Sequence, residues 1–267
     1  MSDAAIAVEA REDAVLVETA ASGAVQIWLN RPERMNAMSV GLVEVLLAAV
    51  QDAIAARATV IVIRGKGRGF CAGADLKERQ GMDQAARLAH NRAINDAINA
   101  IAAAPMPTIA AINGVALGGG CELALGCDIR IAARSAKIGL TEARIGAIPG
   151  AGGTQRLPRL IGISRALDMM LLGEPVSADH AECIGLVNAC VDDDTLDSAV
   201  ARYMDMMGTR SPSAATTLKQ VVYGGIEQPL AQGLAQERSA LGTIFASTDY
   251  AEGLAAFAEK RPPRFSR

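Results

Sequence analysis

Twice in this chain an apolar run of strand length breaks into a glycine-rich turn and then into a run of helical character. TVIVIRG (59–65) leads into GKGRGFCAGAD, and PTIAAING (107–114) runs into GVALGGGCELALGCDIR (114–130). In the second, Gly118-Gly119-Gly120 stand at the mouth of the helical run, and the first charge after them is Glu122. Glycine is the poorest helix former short of proline. Three in succession admit another group close to the backbone and leave the first helical N–H groups facing outward without partners. The positive end of the helix dipole lies at the same point. Two readings follow, close strand–helix packing or a ligand seated on those N–H groups. The phosphate motifs do not fit: Gly114 and Gly118-Gly119 are wrongly spaced for GxGxxG, and Arg64-Gly65-Lys66-Gly67 lacks the Ser/Thr of a P-loop. GFCAGAD (69–75) sits in the same context, so the two turns can supply one backbone N–H each, as an oxyanion hole requires.

The rest of the chain supports an α/β core. AVLVETA (14–20) and AVQIWLN (24–30), separated by Ala-Ser-Gly, predict a hairpin. Ser39 can cap a helix running to about residue 56, and a second helix fits 82–103, stopped by Pro105 and Pro107. DIRIAA and AKIGL predict a further pair of strands. From about 193 the pattern turns helical: 193–208, a helix starting at Ser211-Pro212, 228–246, and one from Thr248 to Lys260, stopped by Pro262-Pro263. This divides the chain into a core over 1–200 and a helical C-terminal region over 201–267.

Composition removes other classes. Hydrophobic residues make up 51% and aromatics only 3%, so the core is built mainly from Ala, Val, Ile, Leu and Met. Lys+Arg number 26 against Asp+Glu 29, with no basic block, which disfavours nucleic-acid binding. Five cysteines (71, 121, 127, 183 and 190) form no CxxC pair, as expected of a reduced cytoplasmic protein without a disulfide framework or zinc knuckle. MSDAAIAVEARED offers no signal-peptide core, and no uncharged apolar run reaches the roughly 18 residues of a membrane span.

Three motifs in order carry a resemblance: FCAGADL (70–76), AAINGVALGGGCELALGCD (110–128) and IGLTEARIGAIPGAGGTQRLPRLIG (138–162). They resemble the crotonase superfamily, and within it the enoyl-CoA hydratases. AEGLAAFAEKRPPRF (251–265) is similar to the C-terminus of the methylglutaconyl-CoA and short-chain hydratases, and the likeness runs from RPERMNAMS (31–39) to the end. The resemblance implies a crotonase-like spiral of ββα units with a C-terminal helical oligomerisation region. It implies a homotrimer or homohexamer that acts on an enoyl-CoA thioester, with coenzyme A as part of the substrate and no metal or other cofactor. The expected reaction is reversible addition of water to the 2,3-double bond, with methylglutaconyl-CoA hydration or enoyl-CoA isomerisation as alternatives.

Carried over residue by residue, the backbone N–H groups of Ala72 and Gly119 form the oxyanion hole. Ala72, Gly73, Ala74 and Asp75 lie along the acyl and pantetheine path, although Asp75 fits equally well as a helix cap. The resemblance makes Glu122 the activator of water and Glu142 the donor of a proton to Cα. Glu122, in the first turn of its helix, is expected to stay ionised; Glu142, between Ile138, Leu140 and Ile145, is expected to have the elevated pKa. Arg144 should point elsewhere. Phe257 and Lys260, three apart on the last helix, are expected at the adenine and phosphate end of CoA bound by a neighbouring subunit. Cys71 and Cys121 suit buried filler, His90 a partly exposed helix position and His180 the surface. RNA binding, credited to some relatives through a lysine-rich helix after RPxRxNA, lacks its basis here: VGLVEVLLAAVQDAIAAR has no lysine and one arginine.

Overall fold

A computed structural model describes residues 7–11 and 14–266. Its elements run β1 (Ala7–Arg11), β2 (Val15–Thr19), β3 (Val25–Leu29), α1 (Val40–Ala55), β4 (Ile61–Gly65), β5 (Gly69–Cys71), α2 (Leu76–Gln80), α3 (Gln84–Ala103), β6 (Thr108–Ile112), β7 (Val115–Leu117), α4 (Gly119–Gly126), β8 (Ile129–Ala133) and β9 (Lys137–Gly139). After β9 come α5 (Gly153–Ile161), α6 (Ile163–Leu172), β10 (Val176–Ser177), α7 (Ala178–Cys183), β11 (Ala189–Val191), α8 (Leu196–Gly208), α9 (Pro212–Ile226), α10 (Leu230–Phe245) and α11 (Thr248–Ala258). Residues 1–6, 12 and 13 of the N-terminal stretch read for a signal peptide lie outside the described residues.

The strands form two sheets, one in the order β1-β2-β3-β4-β6-β8-β11 and a smaller one in the order β10-β9-β7-β5. The expected hairpin is the antiparallel pair β2–β3, β1 pairs antiparallel with β2 ahead of it, and β3, β4, β6, β8 and β11 are successive parallel neighbours. A regular winding links the sheets. β4, β6 and β8 lie side by side in the large sheet, while the strands that follow them, β5, β7 and β9, lie side by side in the small one. Each pass therefore crosses from one sheet to the other and advances by one strand, which is the expected spiral. The two strands read in DIRIAA and AKIGL exist as β8 and β9 but do not pair with each other. β8 bonds to β6 and β11, β9 to β7 and β10.

Both faces of the large sheet are covered, which explains why TVIVIRG reads as a continuous apolar run rather than an alternating one. Ile61 and Ile63 pack into the main core with Leu42 and Leu46 of α1 and Ile94 and Ile98 of α3. Val60 and Val62 face the other way, against Leu196 and Val200 of α8. Residue 200, the expected end of the core, thus falls inside a helix packed on the sheet, and the appended helices are α9–α11. Lys219 of α9 pairs with Asp128 at 2.7 Å, and Tyr223 donates to the same carboxylate at 2.8 Å, tying the helical region to the start of β8. Ser39 caps α1 as expected, accepting from Leu42 N–H at 3.2 Å. The 16-residue α10 and 15-residue α9 are among the helices, none of which is long and apolar enough to cross a membrane among the described residues.

Candidate active site

The spiral places the carboxyl ends of β5, β7 and β9 next to one another, where parallel α/β sheets characteristically receive ligands. Residues just past those ends are Ala74, Gly119 and Glu142. Three segments separated by dozens of residues therefore meet at one point because the winding repeats.

RPERMNAMS scaffolds the first of these turns. Asn36, fully buried, donates to the carbonyls of Lys66 and Gly69 at 3.0 and 2.8 Å and accepts from Arg31 N–H at 2.9 Å. Met38 N–H donates to the Gly73 carbonyl at 2.8 Å, and the Met38 carbonyl accepts from Asp75 N–H at 2.9 Å. The expectation for Ala72 needs correction here. Its N–H donates to the Met35 carbonyl at 3.0 Å and is spent within the fold. The N–H facing Gly119 is that of Ala74: a Cβ built on Gly119 would lie 3.6 Å from Ala74 N, and one built on Gly73 would lie 3.2 Å from Gly119 N. Neither Ala74 N–H nor Gly119 N–H donates to a protein acceptor among the described residues. Gly119 is the first residue of α4, so its free N–H is an ordinary consequence of helix geometry. Ala74 and Gly119, rather than Ala72 and Gly119, are the paired free donors.

Two of the three glycines now have distinct reasons. Gly118 has φ +52° and ψ −123°, a conformation open to glycine alone. A Cβ on Gly120 would come within 2.0 Å of the Cys71 carbonyl oxygen, so α4 lies directly against the backbone of β5.

Asp75 is the N-cap of α2. Its carboxylate accepts from Lys77 and Glu78 N–H at 3.2 and 3.3 Å and from Arg31 at 3.1 Å. This is the capping alternative, and its side chain holds the scaffold together.

Glu122 is 3% exposed, and Oε1 accepts from Ala151 N–H at 2.7 Å and Gly153 N–H at 2.8 Å. Those donors belong to PGAGG (149–153), whose role in holding a carboxylate has no signature in the residue types themselves. Burial is the largest influence and pushes the Glu122 pKa up, opposed by the two N–H groups and by Arg156 and Arg79. The helix dipole alone therefore does not decide its charge. Glu142 opens a short 3-10 turn, Glu142–Ile145. Its Oε1 lies against Gly118, 3.0 Å from where a Cβ would sit, and its Oε2 is buried with no hydrogen-bond partner. Burial raises its pKa, and the negative charge of Glu122 raises it further. Ile138 and Leu140 are buried, but Ile145 is 61% exposed and lends no burial. Arg144 points away toward Glu174, 3.8 Å off.

Cys71 and Cys121 are fully buried, and burial pushes the Cys71 thiol up to about 12 and that of Cys121 also upward, so neither is a nucleophile. His90 is not partly exposed: it is 2% exposed, against the expectation, because α3 turns it toward α2. His180 is at the surface. Phe257 is 86% exposed on α11, and no described contact joins it to the glutamates. Lys260 lies beyond the helix, which ends at Ala258, and takes φ +54°, so the two do not share a helix face. No group of His, Cys, Asp and Glu side chains that could hold a metal occurs among the described residues.

Comparison with known proteins gives the family and the fold. The model of the enoyl-CoA hydratase/isomerase family matches residues 19–267. The chain belongs to that family. A mouse mitochondrial methylglutaconyl-CoA hydratase is 42% identical over 250 residues, 91% of this chain and 79% of the relative. A probable enoyl-CoA hydratase of Rhizobium meliloti is 41% identical over 243 residues, 90% of this chain and 93% of the relative. The crystal structure of an enoyl-CoA hydratase from Bacillus anthracis superposes with a TM-score of 0.89 at 39% identity, covering 97% of this chain and 98% of that one. This enoyl-CoA hydratase/isomerase family member therefore has the crotonase fold.

Proposed function

We propose that the protein is an enoyl-CoA hydratase that adds water reversibly across the 2,3-double bond of an enoyl-CoA thioester. The observation that carries this reading is the asymmetry of two buried carboxylates beside a pair of free N–H donors. Glu122, with two backbone donors on one oxygen, is the better holder of negative charge and takes a proton from water as its oxygen adds to C3. Electron density moves onto the thioester oxygen, where Ala74 and Gly119 N–H receive it, each worth about 3–4 kcal/mol. Glu142, with an unpartnered buried oxygen, holds the proton that goes to C2. An isomerase needs only one carboxylate to carry a proton between carbons; the retention of both favours hydration. Similarity to the mouse and human methylglutaconyl-CoA hydratases favours methylglutaconyl-CoA as a second reading of the substrate.

Coenzyme A enters as part of the substrate, and no metal or further cofactor takes part in this scheme. A cytoplasmic homotrimer or homohexamer suits the chain. Ile163, Leu167 and Leu171 recur every fourth residue on α6 and are 71%, 45% and 73% exposed, an apolar face that assembly would cover. In such an assembly Phe257 and Lys260 would meet a neighbour's CoA. The test is a panel of trans-2-enoyl-CoA thioesters of rising length plus methylglutaconyl-CoA. Loss of the conjugated-thioester absorbance with a product heavier by one water supports hydration. A product of unchanged mass, or full turnover in both Glu122→Gln and Glu142→Gln, overturns it.

A further inference from the structure

Glu122 is held by two peptides that are themselves bonded from behind. The N–H groups of Ala151 and Gly153, which both donate to Oε1, belong to the peptides whose carbonyls are those of Gly150 and Gly152. A trans peptide is planar with its C=O and N–H pointing opposite ways, so a donor on the oxygen and an acceptor on the N–H stand in line across it. Both oxygens are doubly occupied. The Gly152 carbonyl accepts from Gln155 N–H at 3.0 Å and Arg156 N–H at 2.7 Å, in the first turn of α5. The Gly150 carbonyl accepts from two side chains of α3, Asn91 Nδ2 at 2.9 Å and Asn95 Nδ2 at 2.6 Å. One peptide is bonded by backbone alone, the other by amides that a substitution can remove.

Asn91, Asn95 and Asn99 recur every fourth residue of α3 and so share one face of it. Asparagine is among the weaker helix formers, so three at this spacing call for a reason. Asn95 Nδ2 also donates to the Asn91 carbonyl at 3.0 Å, which uses both its hydrogens and fixes the plane of its amide. A Cβ on Gly150 would lie 2.9 Å from Asn91 Oδ1, so the glycine lets α3 come this close. One turn on, Asn99 Oδ1 accepts from Arg156 Nη2 at 2.7 Å, and Arg156 Nη1 donates to the Ala151 carbonyl at 3.1 Å. The helix face thus grips the loop 149–156 from outside. Among the described residues, the hydrogen bonds of the Asn91 and Asn95 amides go to this loop and to α3 itself, not to Glu122.

We propose that Asn91 and Asn95 are positioning residues for Glu122: by bonding the Gly150 carbonyl they fix and polarise the peptide whose N–H holds the carboxylate, and so favour its charged, proton-accepting form. The proposal rests on the hydratase reading for the reaction that Glu122 serves, but not for the hydrogen-bond chain. Hydrogen bonds in series strengthen one another by roughly 10–30% per bond, and a bond from N–H to a carboxylate is already among the stronger ones. Burial drives this carboxyl toward its neutral form, and the N–H groups of Gly153 and Ala151 oppose that. Weakening either donor therefore raises the pH at which Glu122 takes a proton. The charges that also act on it, those of Arg156, Arg79 and Glu142, stay the same in every variant below.

Infrared pH-difference spectra read the protonation of Glu122 without substrate, as the carboxyl band missing from Glu122→Gln. Steady-state kinetics with trans-2-butenoyl-CoA read it again as the acid limb of kcat/KM. In the double variant Asn91→Leu/Asn95→Leu both midpoints should rise by roughly 0.2–1 pH unit, with kcat approaching wild type above the limb and KM little moved. Each single leucine variant should give part of that rise, and Asn91→Gln, which keeps an amide donor, less than Asn91→Leu. A folded double variant with both midpoints unmoved would overturn the proposal. So would a loss of kcat equal at every pH, which is what a merely displaced loop gives. Should the double variant fail to fold, unmoved midpoints in both single variants overturn it equally. An infrared midpoint that rises in a protein hydrating no enoyl-CoA would leave the relay standing while the hydratase reading fails; normal hydration with unmoved midpoints does the reverse.

Discussion

Replacing Glu122 by glutamine and, separately, by alanine divides its charge from its place in the fold. Oε1 is the acceptor for Ala151 N–H at 2.7 Å and Gly153 N–H at 2.8 Å, in a residue only 3% exposed. Glutamine keeps an oxygen there. Alanine leaves two buried donors unpaired at about 1–3 kcal/mol each, so about 2–6 kcal/mol in all before any entering water recovers part of it. At about 2–4 °C per kcal/mol for a chain of this size, the alanine variant should melt on the order of 10 °C below wild type. The glutamine variant should melt at or above wild type near neutral pH, because burial, the largest influence on this carboxyl, acts against its charged form. Both should lose roughly 100- to 10,000-fold in turnover if the carboxylate is the base. Thermal melts followed by circular dichroism and the enoyl-CoA absorbance assay read the two effects separately. Wild-type turnover in Glu122→Gln would refute the catalytic argument. An alanine variant melting together with the glutamine variant would refute the hydrogen-bond argument.

Other perturbations follow from the same geometry. Gly118→Ala forces an alanine to φ +52° and ψ −123° and sets a Cβ 3.0 Å from Glu142 Oε1; it should cost about 1–3 kcal/mol of stability and, by displacing that carboxylate, on the order of 100-fold in kcat, read by melts and steady-state kinetics. Glu142 has a folded-state pKa raised above its ordinary 4.5, so the stability it contributes is fully present below that value and is lost as pH rises through the folded pKa. Glu142→Gln should therefore melt above wild type at neutral pH, with the gap closing as pH falls toward 4.5; a gap that widens on acidification would reverse the sign of the argument. Asp75→Ala removes the α2 cap and the Arg31 contact and should cost about 1–2 kcal/mol, whereas Asp75→Asn, which keeps a capping oxygen, should cost less, as denaturant unfolding would show.

Much of this site is legible in the residues. The apolar runs of β4 and β6, the glycines that follow them and the two glutamates lie in contiguous motifs whose local demands are strong: a continuous apolar strand needs cover on both faces, and a glycine run needs a reason. The division of each strand pair between two sheets was not legible. β8 and β9 each look like half of a hairpin, and only the neighbours that they meet, β6 and β11 for one and β7 and β10 for the other, separate them. His90 escaped for a similar reason, since its burial comes from the packing of α3 near α2 and Met38 and not from its own helical pattern.

The choice between Ala72 and Ala74 shows where reading along the chain stops. Both are small, both flank Gly73, and both stand in the same turn, so nothing in FCAGAD distinguishes their N–H groups. What distinguishes them is a carbonyl 37 residues earlier: Met35 accepts from Ala72 at 3.0 Å, and Met38 brackets Ala74 by bonding to Gly73 and Asp75 on either side of it. Ala72 and Asp75 thus have their N–H groups engaged on either side, and the N–H of Ala74 stays free. Because Asn36 fixes this segment by reaching the carbonyls of Lys66 and Gly69, the donor is selected by a residue that never approaches the chemistry. An Asn36→Ala variant would leave those two carbonyls without their side-chain donor, and the turn should lose its register before the core unfolds. Turnover should then fall at temperatures where circular dichroism still reports a folded chain. Loss of activity and of structure in a single transition would show that the free N–H is set by the turn itself and not by the segment beneath it.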